Sequence, residues 1–317
     1  MYTSGSTTRP KGVCGTEAGL MHRLRWMQQE YPFRPDDITV FKTSIAFIDH
    51  LTELFGPLLG SSLVVVPPAE DILKNPLGLL HYLEVYHVTR LTTVPSWMRA
   101  VLPALQSRAL NRTRLLSLCV VLLSGEVLMQ WLLKAIRLIL PNTLILNLYG
   151  STEVSGDCFS FDCEPLESDW GYPSVPIGKP IPGCVCKVSS DENDLNEGEL
   201  WIGGDLVASG YYNDGYRTME NFTVCVDDPE HTNMWFFKTG DYVKKLESGI
   251  LVYLGRKDRT VRLNGHKVVL DEIESVLQMC PLVAQAAVTY EERRNLDQNI
   301  IAHIVVRSKN ETNTARM

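Results

Sequence analysis

Short apolar runs alternate with helical segments through the first half of this chain, and this alternation limits the folds open to it. The runs at 62–66, 116–123 and 143–148 contain few polar residues, and a further strand is predicted over 90–94. Strands that are apolar throughout, with helices between them, are typical of a parallel sheet covered by helices on both faces. In such sheets ligands bind beyond the carboxyl ends of the strands. We therefore expect functional residues in the loops that follow these runs. The other predicted elements are a strand over 38–47 and helices over 17–30, 50–59, 77–86, 96–105 and 129–140.

The character of the sequence changes at about residue 157. Glycine and proline become frequent, and short β-rich runs follow at 184–188, 198–202, 235–238 and 251–254. After Gly255 the chain is highly charged, and a predicted helix and two strands follow. The predicted fold class is α/β: a parallel sheet flanked by helices, then a β-rich, barrel-like segment, then the start of a small α+β domain. The predicted domain boundaries give domains at 1–156, 157–256 and 257–317.

Composition and charge argue against several classes of protein. A net charge of −7 over 317 residues gives no electrostatic reason to expect nucleic acid as a partner. No apolar run is long enough for a transmembrane segment, and the first residues lack a signal-peptide pattern. We expect a cytoplasmic location, with a peroxisome or another organelle left open. Eight cysteines without C-x-x-C spacing indicate reduced thiols rather than a structural zinc site.

The first loop concentrates hydroxyl groups before a lysine. Thr3, Ser4, Ser6 and Thr7 surround Gly5, and Lys11 follows shortly after. Small residues let the backbone approach a ligand closely, and hydroxyls with a cation suit phosphate oxygens. The order differs from the Walker P-loop. The segment is interpreted as a polyphosphate loop, and the alternative is a disordered polar terminus.

A second polar loop follows the predicted strand at 143–148. It combines an amide, an aromatic ring, a glycine, two hydroxyls and a carboxylate, in the residues Asn147, Tyr149, Gly150, Ser151, Thr152 and Glu153. The ring can stack on a base, the hydroxyls can reach phosphate, and the carboxylate can hold Mg²⁺. The alternative is ordinary capping chemistry at the start of a helix.

Two further polar sites lie in the second half of the chain. Asp241 closes a predicted strand, where a carboxylate can bind both hydroxyls of a ribose or can stabilise its own turn. Arg256, Asp258 and Lys267 bracket a basic strand. The cations could meet phosphate, or the strand could simply be solvated.

Taken in order and spacing, these motifs resemble the adenylate-forming, or AMP-binding, superfamily. This family includes acyl-CoA synthetases and the adenylation domains of non-ribosomal peptide synthetases. The resemblance rests on the Ser/Thr/Gly-rich loop, Tyr-Gly-x-Thr-Glu at 149–153, Gly-Glu-Leu…Gly-Tyr at 198–211, Thr-Gly-Asp at 239–241, and Gly-Arg-x-Asp at 255–258. Asn-Gly-His-Lys…Glu-Ile-Glu at 264–274 completes it. The chain looks most like the β-alanine-activating branch.

The resemblance implies a reaction in two steps. A carboxylic acid is activated with ATP and Mg²⁺ as an acyl-adenylate, and the acyl group then passes to the thiol of coenzyme A or of a phosphopantetheinyl carrier protein. The chemistry is largely positioning and neutralisation of phosphate charge. The C-terminal domain would act as a lid that rotates between the two steps.

The resemblance also assigns roles to individual residues. Thr152, Glu153 and Lys267 would be catalytic, with Glu153 also holding the metal, and Asp258 would be the hinge of the lid. The nucleotide would contact Thr3, Ser4, Gly5, Ser6, Thr7, Lys11, Asn147, Tyr149, Gly150, Ser151, Asp241 and Arg256. The acyl pocket would be lined by Ile48, Asp49, Thr52, Val121, Leu123, Leu148, Gly156 and Asp157.

The sequence also departs from the family pattern. Thr8 replaces a glycine, and Lys267 stands where an arginine is usual. Ile48 stands where amino-acid-activating members have an aspartate, so Asp49 or Asp157 would have to pair with a substrate amine. Only Met1 precedes the phosphate loop, and no terminal lysine motif follows. We expect an internal fragment that keeps nucleotide contacts but turns over little. The alternative is a non-catalytic nucleotide-binding or interaction fragment.

Overall fold

The computed structural model describes residues 1–3, 10–73, 75–106, 115, 117–164, 170–190, 196–225, 229–256, 259–263, 266–278, 280, 282–292 and 298–306. These residues form two compact units. The first comprises Met1–Thr3 and Lys11–Gly255, and the second contains Pro10 and the described residues from Arg256 onward.

The first unit contains fourteen strands and seven helices among its described residues. The strands are β1 (Tyr2–Thr3), β2 (Lys11–Gly12), β3 (Ile38–Val40), β4 (Leu63–Val65), β5 (Arg90–Thr93), β6 (Val120–Leu123), β7 (Leu144–Ser151), β8 (Gly156–Asp162), β9 (Lys179–Pro180), β10 (Val185–Ser189), β11 (Glu197–Gly203), β12 (Phe222–Val224), β13 (Trp235–Lys245) and β14 (Leu251–Arg256), the last ending at the unit boundary. The helices are α1 (Glu17–Glu30), α2 (His50–Gly60), α3 (Ala69–Leu73), α4 (Gly78–Val85), α5 (Pro95–Gln106), α6 (Gln130–Ile139) and α7 (Gly215–Asn221), and a 3₁₀-helix covers Thr152–Val154.

A seven-stranded sheet organises the first unit. Its order is β4-β3-β5-β6-β7-β8-β9. The first five strands in this order, from β4 to β7, are parallel. Strand β8 runs antiparallel to β7, and β9 runs antiparallel to β8. The predicted α/β fold with a parallel sheet flanked by helices is confirmed. Sequential strands connected through helices leave the carboxyl ends of β5, β6 and β7 at one edge of the sheet.

Alternate residues of the central strands enter two separate cores. Leu122 packs with Trp26 and Met27 of α1, whereas Val121 and Leu123 pack with side chains of α4, α5 and α6. This follows from the strand geometry, in which successive side chains point to opposite faces. The sheet is therefore covered on both faces.

Local signals account for the start of α1. The Thr16 hydroxyl accepts a hydrogen bond from the Gly19 amide at 3.0 Å, and Glu17 places a negative charge in the first turn. Both features stabilise a helix N-terminus. The helix spans Glu17–Glu30, as the sequence predicts.

Two strand predictions differ from the structure. The strand predicted over 38–47 ends at Val40, because the Glu53 carboxylate accepts hydrogen bonds from the backbone amides of Lys42 and Thr43 at 3.0 and 2.7 Å. A buried acidic side chain therefore satisfies donors that a longer strand would have needed. Strand β7 instead continues to Ser151, so the predicted loop from Tyr149 begins as a strand.

A five-stranded sheet forms the β-rich part of the first unit. Its order is β10-β11-β13-β12, and β14 also pairs with β13. The predicted boundary at residues 156 and 157 falls inside β8, which belongs to the seven-stranded sheet. The division of residues 1–256 into two domains stays a prediction.

The second unit combines two antiparallel hairpins with one helix. The hairpins join β15 (Thr260–Leu263) with β16 (His266–Val269), and β17 (Val283–Glu292) with β18 (Gln298–Val306), and the helix is α8 (Leu270–Gln278). Glu274 accepts a hydrogen bond from the Val288 amide at 2.6 Å and pairs with Arg259. That backbone bond and the Arg259 cation lower the pKa of Glu274. In the described part of both units, no helix has the length and apolar character needed to cross a membrane.

Candidate nucleotide and acid site

Tyr149 and Asp241 meet at the end of β7. The Tyr149 hydroxyl donates to the Asp241 carboxylate at 2.5 Å, and its ring contacts Phe159 edge-on with 5.8 Å between centroids. Burial, with the Asp241 charge and hydrogen bond, raises the pKa of Tyr149 well above its ordinary value. Tyr149 therefore remains a neutral donor at any physiological pH.

The turn before Asp241 is fixed by its neighbours. The Asp241 amide donates to the Thr239 hydroxyl at 3.0 Å, and the Gly240 amide donates to the Glu199 carboxylate at 3.0 Å. Gly240 has φ of 71°, a conformation that favours glycine. The Asp241 carboxylate thus bonds Tyr149, while the turn itself is held by Thr239 and Glu199.

Lys11, Tyr211 and Glu153 form a second contact group. The Tyr211 hydroxyl donates to Oε1 of Glu153 at 3.1 Å, and the Lys11 ammonium lies 5.1 Å from the centre of the Tyr211 ring. Burial lowers the pKa of Lys11, and the Glu153 carboxylate opposes that shift. A cation and a carboxylate suited to phosphate and a divalent metal therefore lie on two sides of one tyrosine.

Two nearby hydroxyls are buried without partners. Within the described residues, the side-chain oxygens of Thr3 and Ser151 accept and donate no hydrogen bond. Thr3 pairs with Lys11 across β1 and β2, and Ser151 ends β7 just before Glu153. Burying a hydroxyl without a partner is unfavourable. Phosphate oxygens would satisfy both hydroxyls, so these residues fit a polyphosphate ligand.

The Glu153 carboxylate has one oxygen without a hydrogen bond among the described residues. Among the described residues, its Oε2 atom accepts no hydrogen bond, and no group of three or more His, Cys, Asp or Glu side chains could form a metal site. Mg²⁺ commonly binds one or two carboxylates together with substrate phosphates and waters. A single carboxylate that shares the Tyr211 side chain with a lysine fits that arrangement.

A buried arginine links two predicted acid-pocket residues. Arg23 of α1 donates to Asp49 at 2.8 Å and also pairs with Asp157 of β8. The Ser124 hydroxyl, just after β6, donates to the other Asp157 oxygen at 2.5 Å. The side chains of Arg23 and Asp157 are 2% exposed, whereas that of Asp49 is 23% exposed. Asp49 is therefore the member of this cluster that a ligand can reach most easily.

The pKa values of Arg23 and Asp157 depend on burial and on each other's charge. Burial alone would lower the pKa of Arg23, but the charges and hydrogen bonds of Asp157 and Asp49 outweigh burial and raise it. Burial raises the pKa of Asp157, and Arg23 opposes that change. One cation with two carboxylates carries a net charge of −1 when all three are ionised.

Three other residues predicted for the acyl pocket lie on opposite faces of the sheet. Val121 and Leu123 belong to the core beneath α4, α5 and α6, whereas Leu148 packs on the α1 side. The register explains this, because Leu123 lies opposite Asn147, so Leu148 points the other way. Thr52 is buried and Ile48 is partly buried, and both lie near the start of α2.

Gly156 and Gly150 lie so close to neighbouring atoms that neither position has room for a side chain. A Cβ atom at Gly156 would lie 2.1 Å from Nη1 of Arg23, and one at Gly150 would lie 1.8 Å from the Gly156 carbonyl oxygen. Asn147 is buried and donates its side-chain amide to the Pro176 carbonyl at 2.8 Å. The structure thus fills the space at Gly156 with Arg23.

The remaining predicted residues have the following places in the fold. Thr152 begins the 3₁₀-helix before Glu153. Arg256 ends β14 and Lys267 lies in β16, both in the second unit. The predictions for Ser4, Gly5, Ser6, Thr7 and Asp258, and the departure at Thr8, fall outside the described residues.

Sequence reasoning missed Arg23 and Tyr211 as residues of the candidate site. Tyr211 lies in the Gly-Glu-Leu…Gly-Tyr stretch, which contributed only to the family resemblance, and Arg23 lies within α1. The available signal for Arg23 was an arginine at a core position of α1, since a buried cation requires partners. Ser124 lies in a loop after a strand of the parallel sheet, where functional residues are expected.

Comparisons with known proteins identify the family. The model of the AMP-binding enzyme family matches residues 1–212. The chain therefore belongs to the AMP-binding enzyme family. It is 34% identical to the beta-alanyl-bioamine nonribosomal peptide synthetase ebony of Drosophila melanogaster over 97% of this chain and 36% of ebony.

Solved structures show the same fold. The adenylation domain AlmE of Vibrio cholerae, in complex with glycyl-adenosine-5′-phosphate, superposes with a TM-score of 0.79 at 22% identity, over 98% of this chain and 58% of that one. Holo-PA1221, a non-ribosomal peptide synthetase protein containing adenylation and PCP domains, gives a TM-score of 0.80 at 23% identity over 98% of this chain and 53% of that one. The chain spans about a third of the length of ebony and little more than half of these structures.

Proposed function

We propose that this chain activates a carboxylic acid with ATP and Mg²⁺ and passes the acyl group to a thiol. A carboxylate oxygen attacks the α-phosphorus, the bond from that phosphorus to the bridging oxygen breaks, and pyrophosphate leaves. A thiol sulfur then attacks the acyl carbon, and AMP and a proton are released. The observation that carries this proposal is the meeting of Lys11 and Glu153 at Tyr211 in a chain of the AMP-binding family.

The described residues suggest how the phosphates are bound. Lys11, with the unpaired hydroxyls of Thr3 and Ser151, binds phosphate oxygens, and Thr152 contacts the α-phosphate. Glu153 offers Oε2 to Mg²⁺, which when bound neutralises phosphate charge. Lys11 and the bound Mg²⁺ would stabilise the negative charge of the phosphates during phosphoryl chemistry.

The nucleoside is assigned to the other contact group. Asp241 binds the ribose hydroxyls and Tyr149 lies against adenine, with Asn147 and Gly150 supporting that end of β7. The remaining proposed nucleotide ligands are Ser4, Gly5, Ser6, Thr7 and Arg256, Lys267 is a proposed catalytic residue, and Asp258 is the proposed hinge.

The charge of the acid pocket favours an amino acid as the substrate. Arg23 neutralises one of its two carboxylates, and the partly exposed Asp49 leaves one negative charge for a substrate ammonium group. Ebony is described as a beta-alanyl-bioamine synthetase, which supports a small amino acid such as β-alanine. The acceptor is proposed to be a phosphopantetheinyl carrier, because PA1221 contains adenylation and PCP domains, with coenzyme A as the second candidate.

Equilibrium binding tests the nucleotide part of the proposal. The 317-residue chain should bind ATP in the presence of Mg²⁺ by isothermal titration calorimetry. Glu153→Gln should weaken the Mg²⁺ dependence, and Asp241→Asn should weaken binding with or without Mg²⁺. Glu247→Gln is the control, because it removes the same charge at an exposed position. It should leave ATP binding unaltered. No ATP binding by the unaltered chain would overturn the proposal.

A pair of adenylate mimics tests the acid class without requiring turnover. β-Alanyl-sulfamoyl-adenosine and propionyl-sulfamoyl-adenosine differ only in the amine. The first should bind about tenfold more tightly, which corresponds to about 1.4 kcal/mol for pairing the ammonium with Asp49. Asp49→Asn should abolish the difference. Equal binding of the two, or a preference for a long-chain acyl mimic, would refute the amino-acid assignment.

A further inference from the structure

Tyr211 connects two segments that the proposed reaction needs at one place. Lys11 lies in β2, and Glu153 lies in the 3₁₀-helix after β7. The Tyr211 hydroxyl donates to Glu153 at 3.1 Å, and the face of the same ring lies under the Lys11 ammonium at 5.1 Å. A ring face attracts a cation while a phenolic hydroxyl donates to a carboxylate. One side chain therefore contacts both charged groups through different parts.

Backbone hydrogen bonds join the same two segments to the segment that contains Tyr211. Tyr212 donates its amide to the Gly12 carbonyl at 2.7 Å, and Cys14 donates to the Gly210 carbonyl at 2.9 Å. The Ala208 amide donates to the backbone carbonyl of Glu153 at 2.8 Å. Residues 208–212 thus form a bridge between β2 and the Glu153 turn.

The orientation of Tyr211 is strongly constrained. Its amide donates to the Thr218 hydroxyl at 2.9 Å, and its ring packs edge-on against Phe222 with 5.5 Å between centroids. Tyr211 is 7% exposed. Gly210, with φ of 133°, lies so close to Thr218 that a Cβ atom would approach the Thr218 side chain to 2.5 Å. The tyrosine therefore cannot easily adopt another position.

The hydrogen bond also selects which oxygen of Glu153 is available. Oε1 accepts from Tyr211, and in the described residues Oε2 accepts no hydrogen bond. A carboxylate held through one oxygen presents the other in a fixed direction, which lowers the cost of ordering it around a metal.

We propose that Tyr211 is a positioning residue that aims Oε2 of Glu153 at the divalent cation and holds the Lys11 ammonium beside the phosphates. The inference rests on the proposed function, since it assigns a task within the same site. The effects of removing the hydroxyl and of removing the ring should be separable, because the hydroxyl contacts Glu153 and the ring contacts Lys11.

The test compares ATP affinity with EDTA and with saturating Mg²⁺, using calorimetry on the 317-residue chain. The ratio of the two affinities measures the coupling of Mg²⁺ to ATP. Tyr211→Phe removes the hydroxyl only, so this ratio should fall about tenfold or more, as expected for a lost hydrogen bond to a charged group. Its Mg²⁺-free affinity should stay within about twofold of the unaltered chain, because the ring remains under Lys11.

Tyr211→Leu removes the ring as well. It should lose the same Mg²⁺ coupling and also lower the Mg²⁺-free affinity by about two- to fivefold, the usual worth of a cation–π contact. Tyr212→Phe is the matched control, because Tyr212 is the next residue and is 65% exposed. It should change neither value.

A double variant shows whether Tyr211 acts through Glu153. In a Glu153→Gln background, Tyr211→Phe should cause no further loss of Mg²⁺ coupling. The inference is overturned if Tyr211→Phe keeps full coupling, if it lowers both affinities equally, or if its effect persists without the Glu153 charge. Binding of ATP by the unaltered chain in each case would leave the proposed function standing. Absence of any ATP binding would overturn both.

Discussion

Tyr149 and Asp241 are 92 residues apart in sequence, yet they share a hydrogen bond of 2.5 Å. The bond gives Asp241 a defined orientation, which a ribose-binding carboxylate needs. Burial and the Asp241 charge both oppose ionisation of the Tyr149 hydroxyl. The same contact therefore affects both the candidate site and the response of the fold to pH.

The raised pKa of Tyr149 predicts a loss of stability in alkaline solution. Above about pH 10 a tyrosine in the unfolded chain releases its proton, while Tyr149 in the folded chain keeps it. The folded state then binds more protons, so the free energy of unfolding falls as the pH rises. For this one group the slope approaches about 1.4 kcal/mol per pH unit.

Urea unfolding between pH 8 and 11 would measure this slope. Tyr149→Phe should be less stable at pH 8 but should lose less stability above pH 10. Tyr216→Phe, at a 77% exposed position, should follow the unaltered chain. Parallel curves for the unaltered chain and Tyr149→Phe would contradict the predicted shift.

At the scale of elements, helix α1 and strand β8 are joined by charge where most helix–sheet contacts are apolar. Arg23 of α1 pairs with Asp157 of β8, and Gly156 gives it room. An uncompensated buried charge is costly, so the pair holds α1 in register with β8 only while all its partners are present.

Gly156→Ala should break this contact. Its Cβ atom would lie 2.1 Å from Nη1 of Arg23, and φ of 108° is unfavourable for alanine. We expect a loss of about 3 kcal/mol in the free energy of unfolding, from overpacking and backbone strain together. Gly249→Ala is the control, because Gly249 has φ of 78° and no atom within 4 Å of the new Cβ. It should lose only the strain, about 1–2 kcal/mol, and equal losses for the two variants would argue against a steric role for Arg23.

Elements that depend on local signals could be predicted from the sequence. Features that depend on contacts with distant residues could not. Helix α1 could be predicted because its cap, Thr16, lies next to it. The early end of β3 could not, since it depends on the Glu53 carboxylate from the following helix. The Arg23–Asp157 pair joins residues 134 positions apart, and periodicity alone marks only which helix face is buried.

The candidate site follows the same rule. Motif order was enough to indicate Lys11, Glu153 and Asp241, because each lies in a short segment of distinctive composition. The place of Leu148 opposite to Val121 and Leu123 depends on strand register, which the motif does not contain. The roles of the individual site residues stay predictions.

At the scale of the whole molecule, both contact groups of the candidate site lie in the first unit. Lys11, Tyr149, Glu153, Tyr211 and Asp241 all belong to it, as does the Arg23 cluster. A ligand that binds only the folded state stabilises the unit that binds it. ATP with Mg²⁺ should therefore stabilise the first unit directly.

Calorimetric unfolding should resolve this effect, because two compact units can unfold in separate transitions. With ATP·Mg²⁺ at about 100 times its Kd, the larger transition, assigned to the first unit, should gain about 2.7 kcal/mol. Glu153→Gln should remove most of the Mg²⁺-dependent part of that gain, and Glu247→Gln should retain it. A shift confined to the smaller transition would place the nucleotide on the second unit and would contradict the assignment of Lys11, Glu153 and Asp241.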